Sequence, residues 1–168
     1  MSDQENKISQ KSQHDAEQGY KLLESYLIPG REQETEQQLL LFLEKFPDFA
    51  LAHNDLGVIS HKLEKLENAG IHYRKAVQLS PTNMTFRKNL ADFIFVIEGH
   101  PEKAMIHYHE VLKSNPKDTE ALMMIGSLCL SLGSKEEARN FFNLVLEIEP
   151  WNLDAGVALE NLDESASI

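Results

Sequence analysis

Residues 119–152 read TEALMMIGSLCLSLGSKEEARNFFNLVLEIEPWN. Gly126 follows the aliphatic Ile125, and Ala138, Phe142 and Val145 lie four and three residues apart further on. Those intervals place the three side chains on one face of a helix. An alanine with nothing beyond Cβ lets a neighbouring helix approach, and an aromatic ring four residues later fills the space beside it. The stretch is expected as two helices packed as a hairpin, with its last turn closed before Pro150.

The same pattern occurs twice more upstream. Pro47, Pro81, Pro116 and Pro150 are spaced by 34, 35 and 34 residues, and each follows a short helical run (FLEKFP, AVQLSP, VLKSNP, VLEIEP). Alignment on these prolines defines units at 50–83, 84–118 and 119–152, the middle one carrying a one-residue insertion near 98–101 that lengthens the turn between its helices. The eighth position holds Gly57, Ala91 and Gly126, preceded by Leu56, Leu90 and Ile125. The twentieth holds Ala69, Ala104 and Ala138, the twenty-fourth Tyr73, Tyr108 and Phe142, and the twenty-seventh Ala76, Val111 and Val145.

In these positions the chain resembles the tetratricopeptide-repeat family over residues 50–152. The resemblance implies an all-α fold, a right-handed superhelix of antiparallel helix pairs with about nine helices. Departures occur at the fourth position (His53, Arg87, Leu122) and the eleventh (Ser60, Ile94, Cys129), and they are expected to loosen the first hairpin without changing the fold. Residues 14–47, with a Pro29-Gly30 break, fit the pattern poorly and are expected as a degenerate N-terminal capping hairpin. Residues 153–163 are expected as a single helix solvating the C-terminal end, and 1–13 and 164–168 as disordered segments on account of their polarity.

Composition narrows the function classes. The 168 residues carry 16 basic and 27 acidic side chains, a formal charge of -11 that opposes binding to nucleic-acid phosphates. The opening MSDQENKISQKSQHDAEQ has neither the apolar core of a signal peptide nor a membrane anchor, and no later run is apolar enough to span a bilayer, so a soluble cytoplasmic location is expected. The single cysteine, Cys129, lies in the apolar run ALMMIGSLCLSLG and is expected to behave as a small hydrophobe.

A search for chemistry finds no carrier. His107 and His109 are two residues apart and point to different sides of a helix, and His53 and His61 are more than two turns apart with Gly57 between them. These read as surface or boundary histidines, not metal ligands. No HExxH, CxxC, GxSxG, GxGxxG or phosphate-binding GxxxxGK[ST] pattern occurs, so no catalytic residue, metal or cofactor is expected.

The resemblance implies that the first helix of each pair lines a groove. Its second, fifth, ninth, twelfth and thirteenth positions supply Leu51, Asn54, Val58, His61 and Lys62, then Thr85, Lys88, Asp92, Phe95 and Val96, then Glu120, Met123, Ser127, Leu130 and Ser131. The N-terminal hairpin would add Glu17, Tyr20, Glu24 and Leu27. The expected function is a non-catalytic scaffold or adaptor that binds a peptide of a protein partner by apolar side chains, with Asn54, Lys88 and Asp92 bonding its backbone. In an alternative reading Phe95, Met123 and Leu130 pack against neighbouring helices. Members of the family that grip a C-terminal carboxylate use Lys, Asn and Arg at set positions, and of Asn54, Val58, Asn89, Glu120 and Met124 only Asn89 matches, which argues against that ligand. Two further readings stay open: a chaperone for an apolar protein segment, similar in length to small acidic secretion chaperones, and a self-assembling homo-oligomer.

Overall fold

The computed structural model describes the backbone of residues 3–164 and the side chains of 13–164, Tyr26 excepted. Among these residues there are nine α-helices, one 3-10 turn and no strand: α1 (Asp3–Leu23), the turn Glu24–Tyr26, α2 (Glu32–Lys45), α3 (Ala50–Lys62), α4 (Leu66–Leu79), α5 (Met84–Val96), α6 (Pro101–Ser114), α7 (Thr119–Ser131), α8 (Lys135–Ile148) and α9 (Leu153–Glu164). The fold is all-α, as the repeat pattern predicts. No described helix is long and apolar enough to cross a membrane. The chain divides into two compact units at Phe86/Arg87.

In the first unit α3 packs against both α4 and α2. The decisive contact is Gly57 against the ring of Tyr73: a Cβ built on Gly57 would lie 2.7 Å from the ring. Ala52, Leu56, Ala69 and Ala76 are fully buried around it. The N-terminal hairpin preserves the burial pattern with different residues. Counted from Ala16, Leu23, Thr35, Leu39 and Phe42 take the eighth, twentieth, twenty-fourth and twenty-seventh positions, and all four are buried. Tyr20, Phe42, Phe46 and Phe49 form an aromatic cluster with centroids 5.0–5.7 Å apart.

Two expectations change here. Residues 3–13 are helical, not disordered. They hold no Gly or Pro and are rich in Gln, Glu and Lys, so the backbone continues N-terminally from the packed segment Ala16–Leu23. Tyr20, expected on the groove, is buried, and its hydroxyl donates to the carboxylate of Asp55 on α3. Of the C-terminal tail, Glu164 ends α9, and 165–168 lie outside the described residues.

In the second unit α7 packs against α8 and α6, and α8 against α9. Gly126 repeats the close contact, its built Cβ lying 2.5 Å from the ring of Phe142. The three hairpin turns are versions of one another. Lys65 N–H donates to Ser60 O (2.8 Å) and Ser134 N–H to Cys129 O (2.8 Å), the six-to-one bond that closes a helix through a left-handed residue. That residue is Glu64 (φ 59) in the first turn and Gly133 (φ 79) in the third. In the middle hairpin Gly99 (φ 69) takes the role and the extra residue stretches the closing bond to His100 N–H and Ile94 O (3.1 Å). The last residue of each unit caps the helix that follows: Asn83, Asp118 and Asn152 accept from the N–H groups of Phe86, Ala121 and Ala155 at 3.2, 2.9 and 3.0 Å.

Three substitutions test this geometry. Gly126→Ala forces a buried ring to move and is expected to destabilise by about 1–3 kcal/mol. Gly156→Ala in α9, where a Cβ meets nothing within 4 Å, is expected to stabilise by about 0.5–1 kcal/mol through helix propensity. Urea unfolding of both variants checks the opposite signs. At Glu64, substitution by glycine releases a left-handed strain of about 1–2 kcal/mol at some entropic cost, so a net gain of up to about 1 kcal/mol is expected in the same assay.

Candidate functional site

Hairpin packing turns one face of α3, α5 and α7 inward and leaves the residues between partly open. In the first unit Val58 and Lys62 line a pocket of about 210 Å³ together with Leu27, Ile28, Pro29 and Asp55. Leu51 and His61 are exposed. Asn54, expected to bond a partner's backbone, is buried, and its amide donates to Asp55 (3.2 Å).

The second unit holds the larger hollow, about 560 Å³, between α7, α8 and α9. Met123, Ser127 and Leu130 come from α7, Lys135 and Phe142 from α8, and Asp154, Val157, Ala158, Asn161 and Leu162 from α9. Leu130 and Val157 are 38% and 54% exposed, and Leu162 and Phe142 form the buried floor. Ser127 donates to the Met123 carbonyl (3.1 Å), so its hydroxyl is held by its own helix. Met123 is half-buried and Leu130 exposed, so neither is consumed by the core; Phe95 is half-buried on α5 and does not line this pocket.

Lys88 and Asp92 stand on α5, and the structure pairs both internally. The Lys88 ammonium bonds Asp118 (3.4 Å) and Glu120. Burial works against its charge, yet Glu120 and Asp118 hold its pKa above the ordinary lysine value. Asp92 accepts from the Tyr108 hydroxyl. Burial raises the Asp92 carboxyl, which the Tyr108 bond partly offsets, and burial followed by the Asp92 charge raises Tyr108. A buried or half-buried polar group costs free energy unless it is paired, and these pairs meet that cost from within the chain.

The α9 wall of this hollow was not anticipated, since that helix read as a cap only. Its signal was present in the register. Counted from Leu153 as a first position, Val157 and Asn161 fall on the fifth and ninth, the positions of Met123 and Ser127 in α7.

A second unanticipated feature is a histidine pair. His53 is buried against α4, where His72 stacks on it with ring centroids 5.2 Å apart. His53 Nε2–H donates to the Pro47 carbonyl (2.9 Å), which leaves Nδ1 to accept the proton of His72 Nδ1 across 3.0 Å. The rings lie 19 residues apart in sequence, so comparing neighbouring histidines missed them. Among the described residues no group of three or more His, Cys, Asp or Glu is placed to hold a metal ion. Cys129 is buried, and burial followed by the charge of Glu137 raises its thiol above the ordinary value, keeping it protonated.

A tetratricopeptide-repeat family model matches residues 50–83 and 119–150, the first and third units. Residues 50–83 and 119–150 are thus tetratricopeptide repeats. The chain is 29% identical over 111 residues to the BBSome complex member BBS4 of Bos taurus, covering 66% of this chain and 21% of that protein. It thus spans about a fifth of that relative's length. Among solved structures, a tetratricopeptide-repeat protein of Parabacteroides merdae superposes with a TM-score of 0.77 at 25% identity, covering 94% of this chain and 61% of that one. The first repeat domain of Spaghetti (RPAP3), solved with the HSP90 peptide SRMEEVD, gives 0.64 at 25% identity, covering 71% of this chain and 94% of that one. Tetratricopeptide repeats are in general non-catalytic interaction modules.

The histidine pair makes stability depend on pH. Burial, then the His53 ring, depress the pKa of His72 against the opposing pull of Glu36. A depressed base binds fewer protons folded than unfolded, so its contribution is present above the unfolded value of about 6.5 and is lost as pH falls below it. Because His72 is only part-buried, the loss is expected to stay well under the about 1.4 kcal/mol per pH unit limit. Urea midpoints measured from pH 7 to about 5 are expected to fall more steeply in the native chain than in His72→Gln. An equal or shallower fall in the native chain rejects this assignment.

Proposed function

We propose that the chain is a protein-interaction scaffold whose second unit holds an apolar side chain of a partner's peptide segment in the hollow between α7, α8 and α9. The observation that carries this reading is the 560 Å³ hollow itself, where Met123, Leu130 and Val157 present apolar surface that the fold leaves in contact with water. Exposed apolar surface in a concave site is favourable to cover, at about 25 cal/mol per Å². The peptide carried by the Spaghetti (RPAP3) repeat domain shows a related fold holding a short segment of another protein.

The residues expected to line a groove take unequal parts in this proposal. Met123, Ser127 and Leu130 surround the anchor; Phe95 belongs to the same unit outside the hollow, and Leu51, Val58, His61 and Lys62 belong to the first unit, which the proposal does not use. Lys88 and Asp92 tie α5 to the start of α7 and to α6 through their internal pairs, while Asn54 bonds Asp55 within α3. Catalysis has no place in the proposal, and no cofactor is invoked.

Selection of peptides from a randomised library against the full chain tests the reading. For the peptides recovered, Leu130→Ser and Val157→Ser are each expected to weaken binding about tenfold, the loss of roughly one buried aliphatic contact. Ile71→Ser, an exposed position on α4, is expected to leave affinity unchanged. Equal binding by all three variants removes the hollow as the site.

A further inference from the structure

We infer that the segment held between α7 and α9 is basic as well as apolar: a stretch in which Lys or Arg flanks the anchoring aliphatic side chain. This rests on the reading of the hollow as a peptide site and adds the chemistry of its occupant.

The residues lining the hollow include one cation, Lys135, and one carboxylate, Asp154, but helices α7 and α9 themselves carry acidic side chains only. Helix α7, TEALMMIGSLCLS, carries Glu120 and no basic side chain. Helix α9, LDAGVALENLDE, carries Asp154, Glu160, Asp163 and Glu164 and likewise none. The cations that approach come from other helices and meet carboxylates already in place. Lys88 bonds Asp118 and Glu120, and Arg139 bonds Asp163 (2.5 Å). Lys135, at the start of α8, is the one basic side chain lining the hollow, which Asp154 lines as well. Glu120 keeps 62% of its side chain exposed although it touches Lys88, and Asp154 is exposed.

Register adds direction. Glu120 and Asp154 both occupy the second position of their helices, while Met123 and Val157 occupy the fifth and Leu130 the twelfth. Carboxylates therefore precede apolar residues along each wall. A segment that seats an aliphatic side chain between Met123, Leu130 and Val157 meets negative charge toward the helix starts. A lysine or arginine there gains a carboxylate partner, whereas a glutamate or a terminal carboxylate meets like charge. Exposed pairs of this kind act mostly on encounter rate and selectivity and are screened by salt.

The test uses helix-forming peptides that share one leucine-containing apolar face and carry Lys, Gln or Glu around it, with affinity for the full chain measured by fluorescence anisotropy. At low salt the Lys peptide is expected to bind about tenfold tighter than the Glu peptide, with Gln between them, and the spread is expected to shrink as salt is added. In the double variant Glu120→Gln with Asp154→Asn the preference is expected to collapse while the Gln peptide binds as before. Equal affinities, or tighter binding of the Glu peptide, overturn the basic preference and leave the apolar site standing. Binding of none of the three, together with a library that yields nothing sensitive to Leu130→Ser, overturns the site and this inference with it.

Discussion

The approach of a glycine to an aromatic ring sets the geometry of the first and third repeat hairpins, with Ala91 in the corresponding place of the second. Gly57 lies under Tyr73 and Gly126 under Phe142, with the rings filling the volume that a side chain at the glycine would need. Once two helices are that close, their facing stripes are assigned. The alanines at the twentieth position and the aliphatic residues around them go inside, the second position of the first helix turns outward, and the fifth ranges from buried Asn54 to half-buried Lys88 and Met123. The turns obey the same constraint. A left-handed residue reverses the chain in three residues at Glu64 and Gly133, and Gly99 does so with one residue more. The surface available to a partner is therefore a by-product of core packing.

Polar groups divide into those that hold the repeats together and those that face out. Asn83, Asp118 and Asn152 cap the following helix, Tyr20 reaches Asp55, Tyr108 reaches Asp92, and Lys65 holds the buried Glu36 at 2.6–2.8 Å. Each pair satisfies a group that would otherwise be desolvated at a cost. Pairing removes Asn54, Lys88 and Asp92 from the set of groups that could bond a ligand's backbone, although sequence spacing put them on the right helices. What remains between α7 and α9 is apolar surface rimmed by carboxylates.

The repeat made most of the fold legible. Its period located the helix pairs, its small and aromatic positions located the core, and the insertion near 98–101 appears as the longer turn between α5 and α6. The misses have physical causes. Residues 3–13 look too polar to be ordered, yet helix-forming composition next to a packed segment extends α1 through them. Tyr20 reads as a surface aromatic until the phenylalanines of α2 and the α2–α3 turn close over it. His53 and His72 are brought together only when α3 and α4 pair.

By itself the sequence determined that the chain is all-α, which residues repeat with a period of about 34, and that its net charge is acidic, because periodicity and charge are properties of residue order. Tertiary structure alone decided which polar residues are spent inside, that α9 is a wall of a hollow as well as a cap, and that Leu130 and Val157 lie beside one another. These depend on contacts between residues about 20 to 35 positions apart, and the distance across a packed interface is set by the volumes that meet there.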